Sequence, residues 1–455
     1  MFPKNFTWGV ATSAYQIEGA YDINKLPSIW DTFANEKGNI LNNETGNIAC
    51  DSYHLYQDDI QLMKKMNVQA YRFSISWTRI FEEDMTTINQ EGLQYYLDLV
   101  DNLIENGIEP YITLFHWDLP QILQDQGGWL NRNTLVAFER YAKVIAESFN
   151  NKVFNYFTIN EPQIVVFLGY SLGLHAPGYK LSDEECLKIS HNILVAHGLA
   201  VKAIRENSDQ KVKIGIASTG NLTSPIEDNP ENREAAYQAS FKTEGNLFFN
   251  HALFLDPIFL HRYPSDLAKN LKDVVKTFDP KDFEIIGQEI DILGINIYNG
   301  QQVDAEGNYV ERYQGFPKTA IRWPVTPEIM NYGLSYIYRR YQKPIVISEN
   351  GLSCNDRIYS DNRVHDLDRV DFIYSYLKNM KKAMDNGVDI IAYFHWSFTD
   401  NFEWHNGYNE RFGLVYIDYR NQQRIMKDSA YYYANIIKAN QVIELENILK
   451  IETSK

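Results

Sequence analysis

The sequence predicts an α/β protein built as one (β/α)8 barrel with long βα loops, a single domain spanning residues 1–455. Three observations carry that expectation. Short β-branched or aromatic runs of strand length alternate with amphipathic helical stretches along the chain. No Pro- or Ser-rich linker, long single-sign charge run or solenoid-period repeat interrupts the 455 residues, a length that an α/β barrel can use as one unit. Polar residues recur at the carboxyl ends of the apolar runs, which is where such a barrel keeps its chemistry.

The candidate strands fall near 8–11, 71–75, 111–115, 154–159, 212–217, 291–297, 345–348 and 390–395. Two helix–strand units show the grammar. Leu93, Tyr96, Leu97, Val100 and Ile104 share one helical face, Gly107 stops the helix, and 111–115 has the length and apolarity of a buried strand. Further on, Ile373, Leu377, Met380 and Met384 repeat the face, Gly387 the stop and 390–394 the strand. The longer connections at 218–231 and 301–326 read as βα loops around the barrel mouth.

Composition narrows the function. With 43 Lys plus Arg against 59 Asp plus Glu the formal charge is −16, which argues against a nucleic-acid partner needing a basic face. At 44% hydrophobic and 22% charged residues the chain has the makings of a large core rather than of disorder. Cys50, Cys186 and Cys354 stand far apart, so at most one disulfide could form and a reducing compartment fits. The start, MFPKNFTWG, lacks a signal-like apolar stretch, and no segment supplies the roughly 20 apolar residues of a membrane span. The expectation is a cytoplasmic protein without membrane contact, for which the sequons at Asn5, Asn43 and Asn221 carry no meaning. A homo-oligomer is compatible with the sequence, which is silent on oligomeric state.

Reading the polar residue at each strand end gives Arg72, His116, Asn160 with Glu161, Asn296 with Tyr298, Glu349 with Asn350, and Trp396. Two are carboxylic acids on different strands, Glu161 in TINEP and Glu349 in ISENG. Cleavage of a glycosidic bond needs such a pair, one acid to protonate the leaving oxygen and the other to support positive charge at the anomeric carbon. Aromatic residues make up 14% of the chain, and sugar rings stack on aromatic faces while their hydroxyls seek polar partners. Gln16, Glu403 and Trp404 could supply contacts of both kinds.

The segments FTWGVATSAYQIEGA, YRFSISW, FHWDLP, TINEP, LGINIY, ISENG and WSFTDNFEWHNGYNERFGLVYIDY occur in an order that resembles glycoside hydrolase family 1, the β-glucosidase family, along almost the whole chain. The resemblance implies a retaining β-glycosidase on a TIM barrel, with Glu161 as acid/base and Glu349 as nucleophile. It implies that Gln16, His116, Asn160, Glu403 and Trp404 bond the first sugar, with Trp396 stacking beneath it. Arg72 and Tyr298 would hold the nucleophile, and Asn296, Trp117 and Phe412 would line the same site. Trp323 would be the leaving-group platform, with His175 nearby. For retention the two carboxyls should stand about 5 to 5.5 Å apart, and the chemistry requires no metal or organic cofactor.

Departures from the family pattern are FEEDMTTINQEG, which lacks the usual Pro and Gly, FNNKVFNYF before the fourth strand, and Tyr376 where a His is common. The sequence places none of them in the first subsite. An intact NFEW at Glu403 and Trp404 disfavours 6-phosphorylated sugars, because a carboxylate repels phosphate. Glu161 distinguishes the chain from the thioglucosidase branch, which carries Gln there. The expected substrates are unphosphorylated β-glucosides or cello-oligosaccharides cut at the terminal non-reducing residue, with galactosides and fucosides secondary. Two rival readings are weaker. Residues 169–173 spell the G-x-S-x-G of an esterase elbow around Ser171, but a loop follows where a helix is needed. A non-catalytic sugar-binding relative would be expected to lose one of the two acids. His191 and His197 lack metal-ligand spacing and read as ordinary helix residues.

Overall fold

The computed structural model describes residues 1–445. Eight strands form a closed barrel: β1 (Thr7–Ala11), β2 (Ala70–Ser74), β3 (Glu109–Phe115), β4 (Asn155–Asn160), β5 (Lys213–Ser218), β6 (Ile292–Asn296), β7 (Ile345–Asn350) and β8 (Ile390–Trp396). Each pairs in parallel with its neighbours in sequence, and β8 closes on β1 with Thr7 beside Ala392 and Ala11 beside Trp396. Every expected strand is present within two residues of its predicted bounds. The runs were unambiguous because a barrel strand is covered on both faces, so apolar residues occupy consecutive positions.

The barrel is filled, not hollow. Tyr111, Phe157 and Phe394 plug its interior among Ala11, Ala70, Ala217, Ala392 and Val346. Small residues opposite make room: a Cβ on Gly9 would stand 2.4 Å from the Phe394 ring, and one on Gly294 would stand 2.7 Å from Phe157. The plug is the floor of the site, and the Arg72 guanidinium lies on it, 5.2 Å from the Phe157 centroid.

The main helices outside the wall are α1 (Ser52–Lys65), α2 (Gln90–Glu105), α3 (Arg132–Ser148), α4 (Asp183–Glu206), α5 (Pro230–Phe241), α6 (His251–Leu260), α7 (Ile329–Tyr341), α8 (Leu367–Asp385) and α9 (Asp428–Ala439). Five of them, α2 to α6, start at a side-chain cap, as where Ser182 and Glu185 form a capping box for α4 and Asn89 accepts from Gly92 N–H for α2. The face expected on α2 is rotated by part of a turn. Leu93, Tyr96, Leu99, Val100 and Leu103 are buried, while Ile104 is 45% exposed.

The two long connections hold more structure than loops. Thr223–Pro225 pairs in parallel with Gln301–Val303, and Val303 bridges back to Tyr309. His191 and His197 are buried on α4 as ordinary helix residues, His191 against Asp282 and Tyr263, His197 against Thr158. All three cysteines are buried and unpaired. Among the described residues no helix is long and apolar enough to cross a membrane.

Candidate active site

The carboxyl ends of the strands converge on a cavity of about 310 Å³. Glu349, the fifth residue of β7, accepts from Arg72 Nη1 at 2.7 Å and from Tyr298 Oη at 2.6 Å. Arg72 comes from the middle of β2 rather than its end, and its length carries the guanidinium up to the mouth. Its Nη2 donates to Asn160 Oδ1 at 2.6 Å, which fixes the orientation of that amide. Asn160 Nδ2 must then donate to His116 Nε2 at 3.1 Å, a bond that a neutral imidazole accepts.

Glu161 follows β4 directly, and Asn296 Nδ2 donates to its Oε1 at 2.8 Å and to Asn160 Oδ1 at 3.1 Å. Ser348 Oγ donates to Asn296 Oδ1 at 2.6 Å, so that amide cannot turn over. Glu161, Trp117 and Trp404 all have left-handed backbone, with φ of 46°, 77° and 48°. Non-glycine residues adopt that region at a cost, and such residues cluster at sites whose surroundings hold them there.

Electrostatics separate the two acids. Burial and then the charge of Glu349 push the Glu161 carboxyl well above the usual range, against Asn296 and Arg72, which lower it. Burial also raises Glu349, but Arg72 and Tyr298 oppose it, so Glu349 gives up its proton first. Glu403 is pushed up to about 8 by burial and by the charges of Glu410 and Glu349. His116 is held neutral by burial and by Arg72.

Of the fifteen residues expected from sequence, twelve line this cavity: His116, Trp117, Glu161, His175, Asn296, Tyr298, Trp323, Glu349, Trp396, Glu403, Trp404 and Phe412. The other three stand one layer back. Arg72 and Asn160 sit behind the acids. Gln16 is fully buried behind Glu403, its Nε2 donating to the Phe402 carbonyl at 2.9 Å and Asn401 Oδ1 at 3.1 Å, with Glu403 Oε2 at 3.4 Å. Asn350 turns out of the site, donating to the Ile297 carbonyl at 2.6 Å.

Sequence reasoning missed the outer wall. Ile164, Leu168, Asn221, Asn246, Phe249, Asn299, Gln301 and Ile321 face the cavity from connections whose shape no local pattern announces. Asn221 and Asn246 both donate Nδ2 to Tyr309 Oη, at 2.9 and 2.8 Å, which fastens three connections together. It also missed Tyr376, whose hydroxyl donates to the carbonyl of Tyr298 at 2.9 Å, so this departure lies one bond behind the site. Ser171 ends a wide helical turn over Val165–Ser171 and is not on a strand-to-helix elbow, which removes the esterase reading.

A closed parallel barrel whose mouth gathers two coupled carboxyls among aromatic rings is the build of an O-glycoside hydrolase. The chain belongs to glycosyl hydrolase family 1, whose model matches residues 1–442. It is 43% identical to β-glucosidase A of Acetivibrio thermocellus, covering 96% of this chain and 98% of that protein. It is 40% identical to β-glucosidase A of Thermotoga maritima, with 96% and 98% covered. The solved structure of the family 1 β-glucosidase from T. maritima superposes with a TM-score of 0.89 at 39% identity, covering 97% of this chain and 99% of that one. Another structure of that enzyme, equally similar at a TM-score of 0.89 and with the same 39% identity and 97% and 99% coverage, holds deoxynojirimycin.

Proposed function

We propose that this enzyme removes the terminal non-reducing β-D-glucosyl residue from β-glucosides or cello-oligosaccharides with retention of configuration. Glu349 is the nucleophile and Glu161 the acid/base. The observation that carries the reading is the asymmetry of the two acids: Glu349 accepts from Arg72 and Tyr298, while Glu161 has, among the described residues, the Asn296 amide as its side-chain donor and is pushed up by burial and by Glu349 itself.

In the first step the Glu349 carboxylate bonds to the anomeric carbon as Glu161 gives its proton to the departing oxygen. Forming the ester removes the charge of Glu349, so the pressure on Glu161 falls. Glu161 then takes a proton from water as that water attacks the anomeric carbon and the ester breaks. His116, Glu403 and Trp404 hold the sugar, with Asn160 and Gln16 orienting His116 and Glu403 from one layer back, Trp396 stacks beneath it, and Trp323 faces the aglycone. Trp117, Asn296, Phe412 and His175 complete the enclosure. Unphosphorylated sugars are the substrates, with galactosides and fucosides secondary. The outer wall sets Asn221, Asn246, Asn299 and Gln301 among Ile164, Leu168, Phe249 and Ile321, and this mixture of polar groups and apolar faces supports a sugar aglycone, as a second glucose would be. The enzyme acts in the cytoplasm on a small-molecule sugar, with residues 1–455 as one catalytic unit.

The test is kcat/KM for an aryl β-D-glucoside beside the matching galactoside, together with Glu349→Ala supplied with azide. The variant is expected to lose turnover and to yield the α-glycosyl azide, since azide enters from the face that the carboxylate vacated. A β-azide product would overturn the assignment of the two acids.

A further inference from the structure

Tyr376 lies on α8, outside the barrel wall, and does not itself line the cavity. Its ring stacks on Phe372 at 3.7 Å between centroids. Its hydroxyl binds backbone on two sides, donating to the Tyr298 carbonyl and accepting from Thr326 N–H, each at 2.9 Å. Thr326 Oγ1 in turn accepts from Gly300 N–H at 2.9 Å. A single phenol oxygen therefore joins the segment that leaves β6 to the segment that carries Trp323.

That junction matters because the strand no longer holds Tyr298. The β6 ladder ends at Asn296, and beyond it Ile297 is held by the Glu349 carbonyl at 3.0 Å and by the Asn350 side chain at 2.6 Å. Tyr376 makes the next attachment. The Tyr298 phenol must then reach Glu349 Oε2 at 2.6 Å, a bond that weakens steeply with small displacements. The Trp323 ring packs against Tyr298 at 5.2 Å, so both sides of the tie face one cavity.

We infer that Tyr376 is a positioning residue for the reaction, which aims the Tyr298 phenol at Glu349 and sets the Trp323 segment against it, acting through backbone and touching no substrate. The inference rests on Glu349 being the nucleophile. The charged and titratable groups that face Glu349 are Arg72 from β2, Glu161 from β4, Tyr298 beyond β6 and Glu403 after β8. Two of them donate to it, and slackening the Tyr298 bond makes its charged form harder to hold.

The experiment is the pH profile of kcat/KM on an aryl β-D-glucoside for Tyr376→Phe, Tyr298→Phe and the double variant. Glu349→Gln serves as the blank. Tyr433→Phe is the matched control, since that buried phenol donates to the Gly9 carbonyl on β1 at 2.7 Å. The acid limb of Tyr376→Phe is expected to move up by about half a unit, a loss of about threefold at a fixed acidic pH. The limb should move no further in the double variant than in Tyr298→Phe alone, and not at all in Tyr433→Phe. Should Tyr376→Phe fail to fold, Tyr376→Leu, which likewise removes the hydroxyl, is read in its place. A limb that stays put, or a shift that adds fully to that of Tyr298→Phe, would overturn the inference. Activity retained by Glu349→Gln would instead overturn the nucleophile assignment beneath it.

Discussion

Glu161 and Glu349 occupy one enclosure, and their chemistry depends on what each does to the other. Burial is the largest cause raising Glu161, and the charge of Glu349 is the second. Replacing Glu349 by Gln removes the second cause and keeps the first. Glu161 should therefore titrate lower in Glu349→Gln than in the wild type, yet still above an ordinary glutamate, as read by carboxyl infrared difference spectra. An unchanged value would mean that burial alone sets it. On the proposed roles, kcat/KM should fall on the acid side as Glu349 gains its proton and on the basic side as Glu161 loses its own. Both acids were legible in the sequence because each stands beside an Asn at the end of a strand-length run. Tyr376 was not, because its effect passes through the carbonyl of a residue on another element.

At the scale of elements, the connection after β8 carries Glu403, Trp404 and Phe412, and a buried ionic network fastens it. Asp400 accepts from Lys427 Nζ at 2.6 Å, Arg411 Nη1 at 2.6 Å and Gly413 N–H at 3.0 Å. Lys427 donates also to Asp356 at 2.6 Å, and Arg369 donates to Asp356 at 2.8 Å. Burial alone would raise Asp356, but Lys427 and Arg369 more than reverse it, to about 2. Its contribution to stability is therefore present above the ordinary aspartate range and is lost as pH falls toward about 2. Lys427→Met leaves two buried carboxylates short of a partner and should cost about 3 to 5 kcal/mol in urea unfolding at neutral pH. A cost below about 1 kcal/mol would mean that Arg369 and Arg411 suffice. These pairs join residues 11 to 71 positions apart, beyond the reach of a helical or strand period, so nothing local predicted them. The paired segment Gln301–Val303 was equally hidden, being three residues long with two Gln.

Across the whole molecule the barrel was readable because each strand is covered twice and each helix once, so the two periods alternate cleanly. Gly9 and Gly294 could be understood only with the plug in view, since their meaning is the ring opposite. The left-handed backbone at Glu161 has a consequence for the molecule as a material. Glycine there would relieve the backbone and remove a carboxyl that resists burial, so Glu161→Gly should unfold at a higher temperature, by about 1 to 2 kcal/mol of added stability, while losing turnover. A lower melting temperature would show that the surrounding bonds repay the conformation in full. If glycine does stabilise, heat selection run without an activity screen would drift toward inert protein, because the fold and the reaction make opposite demands on this residue.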